Sequence, residues 1–166
     1  MGRVRLAEVG DADAIGRVHV SAWQAAYRGQ MPDDLLDGMD PIARAATWRE
    51  RLETGEADPL VVEDDDGEVV GVAHAGPDRE HPERGELWMI NLAPEAWGTG
   101  LGRALLEAAT AKLRDLGYAD AVLWVLDGNT RARRFYEAAG WYADGTAKRE
   151  DMGGMTITEV RYRREL

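Results

Sequence analysis

Residues 85–126 read as strand, glycine-rich turn, helix and strand in direct succession, and no other part of the chain limits the fold as much. The first run, "GELWMINLAP", is β-rich. Gly98, Gly100 and Gly102 then alternate immediately before a helix. That helix, Leu101 to Leu116, sets Leu101, Leu105, Ala108, Ala109, Leu113 and Leu116 on an inward face, and Gly117 ends it. "DAVLWVL", from Asp120, is a continuous apolar run of the kind a strand buried on both faces carries. Two strands joined through one helix pair in parallel as neighbours, so the chain is expected to build a mixed α/β sheet.

The flanking sequence supplies further elements. Val4 to Glu8 reads as a strand, and a helix capped by Asp11 or Asp13 carries Ile15, Val18, His19, Ala22, Trp23, Ala26 and Tyr27 on one side until Gly29 stops it. A short helical turn and a second helix follow, the latter capped by Asp40, started by Pro41 and ended by Gly55. Two β-rich runs surround Asp65-Asp66-Gly67, a hairpin signal. A short helix capped by Asn129 and ended by Gly140, then "WYADGT" and "MTITEVRYRREL", complete the order β-α-α-β-β-β-α-β-α-β-β. With no repeat or linker, residues 1–166 are expected to form one domain.

Composition removes several function classes. The chain has no cysteine, which excludes thiolate metal sites and a cysteine nucleophile. His19, His74 and His81 lie too far apart in sequence for a metal-spaced pair, so no metal is expected. A net charge of −11 argues against a nucleic-acid partner and fits a cationic small molecule or peptide, or simply a soluble acidic surface. There is no apolar run long enough for a membrane span, and the first residues do not resemble a signal peptide, so a cytoplasmic protein is expected.

The glycine turn has a chemical use. The first amides of a helix lack internal partners, and the helix dipole adds partial positive charge there. Glycines let an anion reach those amides, so this is a phosphate cradle, with Arg103 in reach of a phosphate. The alternative is a bend that only packs the helix close to the sheet. The P-loop is excluded because its lysine and hydroxyl are missing, and the spacing of Gly98, Gly100 and Gly102 misses the dinucleotide fingerprint by one residue. A second constellation, "NTRARRFYEAAGW", brings Asn129 and Tyr136 to the C-terminal edge of the sheet, where ligands of such sheets bind.

Together these stretches resemble the GNAT superfamily of acyl-CoA-dependent N-acetyltransferases. "NLAPEAWGTGLGRALLEAA" resembles its acyl-CoA motif, and "NTRARRFYEAAGW" its Asn-x-x-Ala-x-x-Phe-Tyr-x-x-x-Gly-Phe motif. Trp97 departs from the usual glutamine or arginine, and Trp141 from the usual phenylalanine. The resemblance implies a largely antiparallel, twisted sheet of about seven strands with four helices, splayed at its central strands near Asn91.

It further implies acetyl-CoA as co-substrate and direct transfer to an amine of a small molecule or peptide. Ile90, Asn91, Leu92, Trp97, Gly98, Thr99, Gly100, Leu101, Gly102, Arg103, Asn129, Arg131, Phe135 and Tyr136 then form the coenzyme site. Backbone groups of Ile90 and Leu92 would pair with the pantetheine arm, and an amide near Leu92 would polarise the acetyl carbonyl. Tyr136 is the candidate general acid, since a phenol (about 10) can serve a leaving thiol (about 8.5). Glu86 is the candidate base, with His74 an alternative or a core residue. Asn129 is a helix cap, a pantetheine contact or both. Trp23, Tyr27 and Trp88 are candidates to border the acceptor, in a pocket between the first two helices and the last hairpin. Members of the family often pair as homodimers. A non-catalytic acyl-CoA sensor is the alternative.

Overall fold

The computed structural model describes residues 2–166. Seven strands form one open sheet: β1 (Arg3–Leu6), β2 (Leu60–Glu63), β3 (Val69–Pro77), β4 (Gly85–Leu92), β5 (Asp120–Leu126), β6 (Tyr142–Met152) and β7 (Met155–Glu165). Their order is β1-β2-β3-β4-β5-β7-β6. Every neighbouring pair is antiparallel except β4 and β5, the two strands that the helix α4 (Leu101–Asp115) connects. The remaining helices are α1 (Ala12–Ala26), the short α2 (Asp33–Asp37), α3 (Pro41–Glu53) and α5 (Thr130–Ala138).

The central strand β3 is buried at all but its last residue, because helices cover both of its faces. His74 looks toward Trp48 of α3, while Gly71 on the opposite face lies against Leu105 of α4. The core is built from Ile15, Val18, Val61, Val72, Leu105, Leu106, Leu113, Leu123 and Tyr162, all nearly inaccessible. Asp40 caps α3 by accepting the Ile42 N–H, with Pro41 in the first turn.

Three sequence expectations need adjustment. Leu116 is 56% exposed, because α4 ends at Asp115 and Leu116 becomes its cap. The first strand stops at Leu6, and Val9–Asp11 form a 3-10 turn. The last hairpin is longer than read: β6 runs on to Met152 past a register shift between Ala143 and Ala147.

Helices α1 and α3 cross at Gly16. A Cβ there would sit 2.6 Å from both the Ala45 nitrogen and the Pro41 oxygen, so the two backbones have no room for a methyl group. Gly16→Ala gains helix propensity but forces the helices apart, and a net loss of about 1–3 kcal/mol is expected. The midpoint of a urea titration checks this; an unchanged midpoint would mean that the pair slides freely.

The feature that creates a site is the parting of β4 and β5. They pair only at Gly85 with Ala121 and Glu86 with Val122. Opposite β3, His74 pairs with Met89 and Ala75 with Leu87, so Trp88 is an extra, bulged residue. The distortion expected near Asn91 therefore lies earlier, at Trp88. Beyond Glu86 one edge of β4 has no strand beside it.

Candidate active site

A cavity of about 320 Å³ fills the gap where β4 leaves β5. Of the residues singled out in the sequence, Ile90, Asn91, Leu92, Trp97, Gly102, Asn129, Arg131, Phe135, Tyr136, Trp23 and Tyr27 line it. Gly98, Thr99, Gly100, Leu101 and Arg103 are not on its wall but surround Gly102 at the start of α4.

The three glycines do different things. Gly98 and Gly100 have φ of 75° and 89°, in the left-handed region where a side chain is strained. Gly102 is helical and is small because Leu92 and Phe135 stand 3.3 Å and 3.5 Å from where its Cβ would be. Gly100 is the N-cap of α4 and offers no side chain to the helix amides. The N–H groups of Gly100, Gly102 and Arg103 have no protein acceptor among the described residues. An anion is the partner such an uncapped helix start suits. The Arg103 side chain does not join it; the guanidinium turns along the helix to Glu107 at 3.0 Å and to the Ala138 carbonyl.

Trp97, the departure from the family motif, has two contacts. Its indole N–H donates to the Leu92 carbonyl at 2.9 Å, and the Arg131 guanidinium lies 3.5 Å over its ring. Burial pulls the Arg131 pKa down, but from a height that leaves it cationic at neutral pH. The cavity thus has a fixed positive charge near the start of α4. Because the Ala93 N–H bonds to Val70 on β3, that of Leu92 points the opposite way, toward the opening.

Asn129 accepts the Ala132 N–H at 3.3 Å and caps α5 while lining the cavity. Tyr136, on the same helix, is 8% exposed. Its hydroxyl has no protein hydrogen bond among the described residues, and burial, with Tyr27 adding to it, pushes its pKa above the usual phenol value. Burial, reinforced by Glu159, pushes the Tyr27 phenol up to about 12. Both phenols are therefore protonated donors at neutral pH. Asn91 is 9% exposed, and its Nδ2 is buried without a partner.

Three residues singled out as candidate bases or acceptor contacts, Glu86, Trp88 and His74, are not brought to the cavity. Glu86 is still paired with β5, so the gap opens beyond it; its carboxylate accepts the Arg79 N–H at 3.2 Å. Burial raises the Glu86 pKa, but toward the loop that follows β3. Trp88 packs on His74, 4.7 Å between ring centres, and donates to the Pro77 carbonyl. His74 is also outside the cavity. Burial, with Arg51 adding to it, pushes its pKa down to about 4, so it is a neutral core residue.

The far wall holds residues that sequence reasoning did not name: Met31, Trp124, Leu126, Glu150, Met152, Ile157 and Glu159. One signal existed. In "MTITEVRYRREL", the period of two puts Glu159 on the same face as Met155 and Ile157, a face that Arg161 and Arg163 continue. Burial raises the Glu159 pKa despite Lys148, whose ammonium stands 4.0 Å away.

Comparison with known proteins agrees with this geometry. The sequence profile of the Acetyltransferase (GNAT) family matches residues 17–141. The chain is 34% identical to an uncharacterized N-acetyltransferase of Bacillus subtilis, YuaI, over 83% of its own length and 79% of that protein. It is 28% identical to a probable N-acetyltransferase of Mycobacterium tuberculosis over 97% and 92% of the two chains. Among solved structures, the PaiA N-acetyltransferase of Thermoplasma acidophilum in complex with coenzyme A superposes with a TM-score of 0.77 at 17% identity, covering 100% of this chain and 99% of that one.

Proposed function

From the premise that this chain belongs to the GNAT family of acetyltransferases, we propose that it transfers the acetyl group of acetyl-CoA directly to a primary amine bound in the same cavity. The observation that carries this reading is the unpaired β4 edge beyond Glu86, which runs into the uncapped start of α4. A pantetheine arm can lie along that edge as an added strand. Its diphosphate then meets the amides of residues 98–103, with Arg131 on its Trp97 shelf as the counter-charge. The Leu92 carbonyl is already taken by Trp97, which leaves the Leu92 N–H as the main-chain donor aimed at the opening.

The chain's own groups divide the chemistry. The Leu92 N–H supports negative charge on the acetyl oxygen. The neutral amine nitrogen attacks the carbonyl carbon, the carbon–sulfur bond breaks, Tyr136 donates its hydroxyl proton to the departing sulfur, and the proton shed by the nitrogen returns the phenol to its protonated form through solvent. No cysteine exists to carry the acetyl group, which supports one-step transfer. The reading implies a cytoplasmic enzyme, since that compartment supplies acetyl-CoA. No described helix is long and apolar enough to cross a membrane.

Calorimetry with acetyl-CoA and a thiol-release assay with an amine panel test the reading together. Binding is expected, followed by thiol release that depends on the amine. Binding with no amine-dependent release would identify a sensor, and no binding would remove the proposal.

A further inference from the structure

The cavity is chemically two-sided. Toward α4 it presents Arg131, backbone amides and Phe135. Toward β6 and β7 it presents Trp23, Tyr27, Trp124 and Met152 with two acids, Glu150 and Glu159. Arg131 is the one cationic side chain on the wall among the described residues, and it is held at the opposite end on Trp97.

Glu159 is the better placed acid. Its side chain is 24% accessible, and Lys148, at 4.0 Å, is at the limit of an ion pair while also lying 4.4 Å from the centre of the Trp124 ring. A half-buried carboxylate with so remote a partner gains from a closer cation. Asn91, between the two halves, gives an independent sign that a ligand belongs here. Asn91 is on the cavity wall and its Nδ2 is buried and unpartnered, a cost that a ligand oxygen would remove.

We propose that this second half selects an amine carried on a compact apolar or aromatic body that has no carboxylate, with Glu159 holding the arriving ammonium, which sheds a proton to solvent before its nitrogen attacks. The proposal rests on the acetyl-transfer reading and deepens it. The aromatic and thioether wall accepts the body, Glu159 accepts hydrogen bonds from the cation, and an acid group on the acceptor would face two carboxylates, while Arg161, 5.9 Å from the centre of the Trp124 ring, is engaged by Asp144 at 2.7 Å. The Tyr27 hydroxyl, protonated at neutral pH, adds no charge of its own.

Thiol release by the full chain with acetyl-CoA compares phenethylamine, phenylalanine and spermidine. These are an apolar body with an amine, the same body with a carboxylate, and a cation with no such body. For phenethylamine kcat/KM is expected to exceed that for phenylalanine by at least about a hundredfold and that for spermidine by at least about tenfold. Glu159→Gln, nearly the same shape, is expected to raise the phenethylamine KM by about tenfold or more and to leave the acetyl-CoA KM unchanged. Equal use of phenylalanine, a preference for spermidine, or an unmoved phenethylamine KM in Glu159→Gln would overturn the proposal. The comparison of amines needs no variant, so a poorly folding substitution does not rescue it. If acetyl-CoA binds and only other amines are acetylated, the acceptor assignment alone fails. If acetyl-CoA does not bind, the transfer reading fails and takes this proposal with it.

Discussion

Tyr136→Phe is expected to lower kcat by about 10²–10³-fold while leaving the affinity for acetyl-CoA and the folding stability nearly as they were. The asymmetry follows from the surroundings of the hydroxyl. It has no protein hydrogen bond among the described residues, so deleting it breaks no internal contact. Phenylalanine keeps the ring that packs against Phe135 and Tyr162. Removing a hydroxyl that has no protein partner and is open to the cavity is close to neutral for stability. A purely structural tyrosine would give the opposite result, a lower melting temperature with turnover per folded molecule preserved. Burial also fixes the protonation state. The raised pKa keeps the phenol protonated throughout the neutral range, so Tyr136 should contribute no fall in rate below pH 10. Steady-state kinetics from pH 6 to pH 9, beside thermal melts of both proteins, separate the two outcomes. Full turnover in the variant would take Tyr136 out of the mechanism.

The difference between Tyr136 and Glu86 shows what a sequence makes legible here. Tyr136 and Asn129 sit on one short helix, and Gly98 to Arg103 on one turn, so spacing alone brings each group together. The strand-helix-strand unit is similarly local, and β4 and β5 pair in parallel as read. Glu86, Trp88 and Ile90 would share a face in a regular strand. The extra residue at Trp88 breaks that alternation: Gly85, facing Leu113, and Leu92, facing Leu105 through Gly71, lie an odd number of residues apart yet on one side. No residue type at 88 announces a bulge, so the face on which Glu86 ends was out of reach. Glu159, Trp124 and Met152 fail for a different reason. Their meeting depends on the register of β5 with β7 and of β7 with β6, where Leu126 pairs with Glu159 and Met152 with Met155. The β5–β7 pairing joins segments far apart in the chain, the β6–β7 hairpin carries a register shift between Ala143 and Ala147, and the alternation of "MTITEVRYRREL" indicates faces but not partners. Of the pocket expected between the first two helices and the last hairpin, the cavity wall has α1, through Trp23, and the hairpin, through Met152 and Ile157, but no residue of α3.

The helix start carries the second large effect. Gly100→Val is expected to weaken acetyl-CoA binding by about a hundredfold, with a smaller loss for Gly100→Ala. At φ 89° a Cβ clashes with its own backbone whatever the space around it, and a β-branched side chain is strained most. The free space at Gly100, where a Cβ would meet nothing within 4 Å, shows that the penalty is conformational and not a collision. The chain relieves it by turning the residue toward negative φ. That rotation redirects the peptide units on either side of Gly100, and with them the unpartnered N–H groups of Gly100 and Gly102 at the mouth of α4. Losing two charge-assisted hydrogen bonds at about 1.5 kcal/mol or more each accounts for the hundredfold. Gly145→Val is the control. Its φ of 88° and empty surroundings impose the same local strain, but it lies at the register shift of β6, away from the cavity. Both variants should lose similar stability, and calorimetry should show that only Gly100→Val loses the coenzyme. Equal binding by the two would mean that the amides of this turn do not hold the diphosphate, and the assignment of the α4 end as the coenzyme site would fall.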